Sequence, residues 1–141
     1  VFGRFAYLGI DPYMFVSALA GVWAQRLVRI NCPRCSAPIR LDPRELELMA
    51  LDAEQVSGYR AHKGSGCGDC RGTGYRGRRA IAEVLELNDE LRELIVDRKP
   101  IRVIRDAARR HGTHSLRETA LALVAAGETT LQEVKRVTLD E

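Results

Sequence analysis

Cys32-Pro33-Arg34-Cys35 and Cys67-Gly68-Asp69-Cys70 decide how this chain folds, and the second dyad runs on through Arg71-Gly72-Thr73-Gly74-Tyr75-Arg76-Gly77-Arg78. These are all the cysteines of the chain, so none is left to act alone. A Cys-x-x-Cys turn can set both sulfurs on one metal ion. Two such turns supply the four tetrahedral thiolates that structural zinc prefers. A closed shell of four sulfurs leaves no open position for water, so it folds a loop and does not catalyse. The expected ligands are therefore Cys32, Cys35, Cys67 and Cys70, and the expected cofactor is structural zinc. The metal would clip a loop of about thirty residues whose modest apolar content could hardly fold it alone. The alternative is a pair of redox dithiols or disulfides. A redox Cys-x-x-Cys usually opens a helix after a βαβ pattern, and neither dyad has that setting. His62, His111 and His114 are expected at the surface, since four sulfurs already fill the shell. His111 precedes a helix stop at Gly112, where a cation suits the C-terminus.

Outward from the dyads, start and stop signals are clear. Asp11-Pro12 offers an N-cap and a first-turn proline. They predict a helix from about Pro12 to Arg29, apolar on nearly all sides through Trp23 and hence buried in a core or under another domain. Before it, Val1 to Leu8 reads as the tail of an earlier helix, stopped at Gly9. Between the dyads, Asp42-Pro43 with Glu45 starts one short helix. Asp52 with Gln55 forms a capping-box pattern for a second. In Arg78 to Leu87, the Ile81 and Leu85 side fits either a strand or a helix, and a strand through Val84 is the favoured reading. Asn88 then caps a helix carrying Leu91, Leu94 and Ile95. Pro100 opens another with Ile101, Ile104 and Ala108 on one stripe, ended by Gly112. Ser115-Leu116-Arg117-Glu118 is a capping box for a helix ending at Gly127, and Thr130-Leu131-Gln132-Glu133 is a second box for a final short helix. The last third thus reads as a compact set of short helices. Three regions result: 1–30 of terminal helices, a four-cysteine zinc subdomain at 31–75, and a strand plus helical subdomain at 76–141. The fold class is α+β, mainly α.

The 141 residues suffice for one domain or two small subdomains, and 45% hydrophobic residues with 29% charged argue against wholesale disorder. Net charge is only +3, but three lysines stand against nineteen arginines. Arginine favours bidentate pairing with carboxylate or phosphate. No signal peptide is visible, the chain starts inside an apolar pattern without methionine, and its longest apolar stretch, Tyr13 to Ala24, is too short to span a bilayer. A piece of a longer, cytoplasmic protein is the expectation.

The glycines from Gly64 to Gly77 permit the tight turns around a metal knuckle. A phosphate cradle needs a preceding strand, which is not evident here. The phosphate loop G-x-x-x-x-G-K-[ST] is absent, as is an acidic run after an apolar strand, so the chain alone is not expected to hydrolyse nucleotide. Arg60, His62, Lys63, Arg71, Arg76, Arg78 and Arg79 form a basic patch that a zinc ribbon for nucleic acid would also show. Tyr59 and Tyr75 are few aromatics for base stacking. An autonomous zinc-ribbon module binding nucleic acid or an acidic protein is the alternative reading.

Two resemblances meet at the second dyad. Cys67-Gly-Asp-Cys70-Arg-Gly72-Thr-Gly74 matches the zinc-region unit of DnaJ-type co-chaperones, but the first dyad continues Ser36-Ala37-Pro38 without the glycines. The wider resemblance is to the type II secretion ATPases (general secretory pathway protein E) and their type IV pilus-assembly relatives. It is carried by Leu8-Gly-Ile-Asp-Pro-Tyr13 and by Ala24-Gln25-Arg26-Leu27-Val28-Arg29 leading to the first dyad. Cys70-Arg-Gly-Thr-Gly74-Tyr75-Arg-Gly77-Arg78 with Ile81-Ala-Glu83, then Ala126-Gly127-Glu-Thr129-Thr130 with Glu133, continue it in the family's order. Ala80 and Asn31 depart from the family's usual glycine and leucine. The resemblance implies a cytoplasmic, hexameric, RecA-like ATPase at the bacterial inner membrane that powers pseudopilus or pilus assembly. ATP and Mg²⁺ would belong to the parent protein only, and residues 1–30 would end its RecA-like core. Expected partners are the rest of that core, hexamer neighbours and the inner-membrane assembly platform. Gln25, Arg26, Arg29, Arg76 and Arg78 are candidate nucleotide, intersubunit or partner contacts.

Overall fold

After Asp11-Pro12 the helix stops early. The computed structural model describes residues 2–138 and gives α2 as Pro12–Ala18, with the Asp11 carboxylate accepting from the Met14 amide. Gly21–Asn31 is then a strand, β1, where the sequence predicted helix through Arg29. Pairing with the strand that contains Leu85 decides it. Gly21 cannot carry a side chain, because a Cβ there would come within 2.8 Å of the Leu85 carbonyl oxygen. Val22, Trp23, Val28 and Ile30 are β-formers, and Val28 is buried between exposed Leu27 and Arg29, the period of two that a strand requires. A continuous apolar run hid that period.

The described residues contain seven helices and four strands, an α+β arrangement: α1 (Phe2–Tyr7), α2, β1, β2 (Ser36–Pro38), α3 (Pro43–Leu48), β3 (His62–Gly64), β4 (Tyr75–Glu86), α4 (Asp89–Val96), α5 (Ile101–Arg110), α6 (Leu116–Ala125) and α7 (Leu131–Thr138). β1 pairs with β4, and β2 with β3. β4 is longer than the predicted strand at both ends. Val1, placed by the sequence in the first helix, lies outside the described residues. Among the described residues no helix is long and apolar enough to cross a membrane.

The chain forms two units, Val1–Ala24 with Glu83–His114, and Gln25–Ala82 with Ser115–Glu141. The expected single set of C-terminal helices is thereby divided, α4 and α5 in the first unit and α6 and α7 in the second.

The first unit packs Val16, Leu87, Leu91, Ile95, Ile104, Ala107 and Ala108 into one buried cluster, with Phe15 and Leu19 against it. Each fully buried leucine stabilises by about 2 kcal/mol. Asn88 caps α4 by accepting from the Leu91 amide at 2.9 Å. The Arg92 guanidinium donates to the Val16 carbonyl and, at 2.8 Å, to that of Leu19, satisfying the open end of α2. On the outside Glu90 receives Arg110 and His111, whose hydrogen bonds draw its carboxyl below the ordinary range.

In the second unit, α3 begins as expected, with the Asp42 carboxylate accepting from Arg44. The second expected insert helix does not form. Gln55 Oε1 does accept from the Asp52 amide at 2.9 Å, but the chain stays in turns to Gly58. A single turn has too few internal bonds to persist without an apolar face to pack. Ser115 and Glu118 complete the capping box of α6. Val28, Met49, Ile81, Leu116, Ala120, Val124, Leu131 and Val134 are the main buried apolar residues.

Candidate metal centre

The first dyad sits where β1 ends. The Cys35 and Ser36 amides both turn back to the Cys32 carbonyl, at 3.3 and 2.9 Å. The second dyad forms a matching knuckle, with the Gly72 amide donating to the Cys67 carbonyl and that of Arg71 to Gly68. Short β2 and β3 hold the two together in antiparallel register, Ser36 opposite Gly64 and Pro38 opposite His62. Backbone bonds from Cys32 to the Gly74 carbonyl (2.9 Å) and from Ser65 to that of Cys35 (3.1 Å) tie one knuckle to the other.

The sequence-predicted sulfurs converge. All four Sγ atoms lie within 4.8 Å of one another. Cys32–Cys67 and Cys35–Cys70 are 3.9 Å apart, and Cys67–Cys70 3.8 Å. Tetrahedral ligands at a zinc–sulfur distance of about 2.3 Å stand about 3.8 Å apart. A disulfide would need about 2.05 Å. The set could hold one ion, and none of the three histidines joins it.

Backbone donors polarise the cluster. Burial pushes the Cys70 thiol up, but amides of Cys67 (3.1 Å) and Gly74 (3.3 Å) outweigh it and bring Cys70 down to about 6. Burial pushes Cys35 up to about 11, with neighbouring thiols adding to the rise. Amide-to-sulfur bonds of this kind stabilise a thiolate ligand.

Two glycines make the close approach possible. Gly74 has φ +76, and a Cβ on it would meet the Gly64 carbonyl oxygen at 2.5 Å; a Cβ on Gly64 would strike the Gly74 carbonyl in turn. This is the work expected of knuckle glycines, here with named opponents.

The other candidates lie on β1 and β4. Arg29 leaves β1 toward Glu133, donating from Nε (2.9 Å), Nη2 (2.8 Å) and its backbone amide (2.9 Å). Its guanidinium lies 4.5 Å from the centre of the Tyr75 ring, and the Tyr75 hydroxyl meets Thr130 at 2.6 Å. Arg76 joins Arg34 on Asp69, inside the second dyad. Gln25, Arg26 and Arg78 are exposed. All five lie on the paired strands β1 and β4.

Glu133 escaped the sequence reading. It is fully buried and also receives Arg136. Burial pushes its carboxyl up, but the donors of Arg136 and Arg29 outweigh this and hold it at about 2, while Glu133 raises both guanidinium groups. The pattern Thr130-x-x-Glu133 explains the miss. Thr130 does cap α7, accepting from the Glu133 amide at 3.2 Å, but the carboxylate that should complete the box goes to Arg29. Asn31 was likewise passed over as a departure. It is buried, and its Nδ2 donates to the His62 and Gly127 carbonyls at 2.9 Å each.

The family model for type II/IV secretion system proteins matches residues 1–136. Similar proteins include the type IV pilus assembly ATPase PilB of Thermus thermophilus, 42% identical over 97% of this chain and 15% of its own length. The type II secretion system protein E of Pseudomonas aeruginosa is 38% identical over 98% of the chain and 27% of its own length. The type II secretion system ATPase E of Vibrio cholerae is 38% identical over 96% of the chain and 26% of its own. The chain thus spans about a quarter or less of these relatives.

Proposed function

The chain belongs to the type II/IV secretion system protein family, and from that premise we propose that it is the zinc-clipped, helical region of a motor ATPase that drives pilus or pseudopilus assembly. The observation that carries the metal assignment is the sulfur spacing of 3.8–3.9 Å, which fits one tetrahedral ion. Cys32, Cys35, Cys67 and Cys70 hold it, and the ion keeps two knuckles in register without touching substrate. Hydrolysis of ATP with Mg²⁺ belongs to the rest of the protein, and this region alone hydrolyses nothing. The whole protein works as a ring of six in the cytoplasm, against the inner membrane, where it meets the assembly platform.

The knuckle face suits docking. Arg71, Arg76 and Arg78 are exposed beside the metal, with Asp69 balancing only Arg34 and Arg76. Reversing Arg76 and Arg78 in the intact protein should cut secretion or piliation more than ATPase activity. Equal losses in both would refute docking.

The central test loads the intact protein with zinc and compares it with Cys67→Ser. One zinc per chain in the parent, none in the variant, and ATP hydrolysis by the parent but not by residues 1–141 alone support the reading. Metal-independent folding would refute the zinc assignment, and tight, steeply salt-dependent binding to DNA without ATPase activity would replace the motor reading with the autonomous zinc-ribbon module.

A further inference from the structure

Helix α5 turns Ile104, Ala107 and Ala108 into the first unit's core. The same packing sends Arg102, Arg105 and Arg109 outward, spaced three and four residues apart on one face. Arg98, in the turn before it, is exposed as well. None of the four makes an ion pair among the described residues; the cations nearby that do are Lys99, with Asp97, and Arg110, with Glu90. Like charges three and four residues apart repel, and within α5 the exposed Asp106, four residues from Arg102, is the single carboxylate set against them. Ile101 stands among them 59% exposed.

The second unit carries a surface of opposite sign. Residues 42 to 54 hold five carboxylates against the single cation Arg44. Glu47, Asp52 and Glu54 are exposed and make no ion pair among the described residues. Here too one large apolar residue stands out, Leu48, 64% exposed beside Glu47.

From these matched surfaces we propose that the α5 face of one copy docks on the acidic insert of a second copy, with Ile101 and Leu48 as apolar anchors inside a rim of arginine–carboxylate pairs. Charge complementarity selects the occupant. Each surface offers what the other lacks; helices hold Arg102, Arg105, Arg109 and Glu47, while Asp52 and Glu54 lie in the loop after α3. Because the two surfaces differ, the contact is heterologous and repeats head to tail, the kind of contact from which a ring is built when its rotation closes. The inference rests on the proposed ring only in requiring a second copy, and it assigns that ring a specific interface.

The test uses the full protein that contains this chain, followed by sedimentation velocity with circular dichroism and metal content as controls. Arg102→Glu with Arg105→Glu should weaken self-association at least about tenfold, as should Glu47→Arg with Asp52→Arg, since each places like charges opposite one another. Combining all four should restore it to within about threefold, and added salt should weaken the parent's association. If the reversals disturb α5, Arg102→Gln with Arg105→Gln should still weaken association, by less. A ring unchanged by either pair, or a combined variant as weak as the two losses together, overturns this interface and leaves the ATPase reading standing. A parent protein that is monomeric at all concentrations overturns both. Loss of binding to anionic vesicles or to DNA by the α5 variant, with self-association intact, reassigns the face and overturns the inference.

Discussion

Replacing Glu133 by glutamine removes one charge from a buried site while keeping its shape. The carboxylate is fully buried and takes four guanidinium bonds, two each from Arg29 and Arg136, plus the Arg29 backbone amide. Holding the group at about 2 against its ordinary 4.5 corresponds to about 3 kcal/mol at 1.36 kcal/mol per pH unit. The guanidinium side chains are 46% and 53% exposed, so water repairs part of their loss. A glutamine also keeps an acceptor for the Arg29 amide. The expected destabilisation at pH 7 is therefore about 2 kcal/mol, measured by urea unfolding of the zinc-loaded protein. The sign with pH follows from the depressed carboxyl. Its contribution is complete above about 4.5 and is lost as pH falls toward 2. Parent and variant should draw together through pH 3 and converge at about pH 2, and their difference cancels the metal's own acid sensitivity, which both share. A variant within about 0.5 kcal/mol of the parent at pH 7, or a gap that persists undiminished at pH 3, would show that the pair does no more than a surface contact.

Chelation, or Cys67→Ser, should remove one metal per chain and raise amide exchange across residues 31–75 with little change in α4 and α5; exchange mass spectrometry reads both. Gly74→Ala should destabilise by at least about 2 kcal/mol and weaken zinc affinity, because it combines a left-handed backbone (φ +76) with a collision against Gly64; competitive metal titration checks this. Asn88→Ala should cost about 1 kcal/mol through the lost cap of α4 and leave metal affinity unchanged.

Local signals carried far in this chain. Asp11, Asp42, Asn88 and Ser115 all cap as their neighbours predict, because a cap is decided within three residues. The sulfur cluster was legible because Cys-x-x-Cys spacing nearly fixes its own geometry. What needed distant partners was hidden. Val22 to Arg29 reads as helix until β4 is there to pair with it. Glu133 reads as a cap until Arg29 arrives from 104 residues away. Arg76 reads as a free cation until the second dyad folds Asp69 toward it. In each case the deciding group lies on another element.

That separation of 104 residues between Arg29 and Glu133 also sets an order of events during synthesis. At roughly 5–20 residues per second, the strand bearing Arg29 waits on the order of 5–20 s for its carboxylate to be made. Cys70 precedes α7 by some sixty residues. All four sulfurs of the proposed metal site are therefore made while β1 still lacks the anion that finishes it. Early metal capture shortens the time in which an unfinished strand edge stays open to wrong partners. On the proposed zinc reading, scarcity of the metal is expected to act on newly made chains before it acts on finished ones.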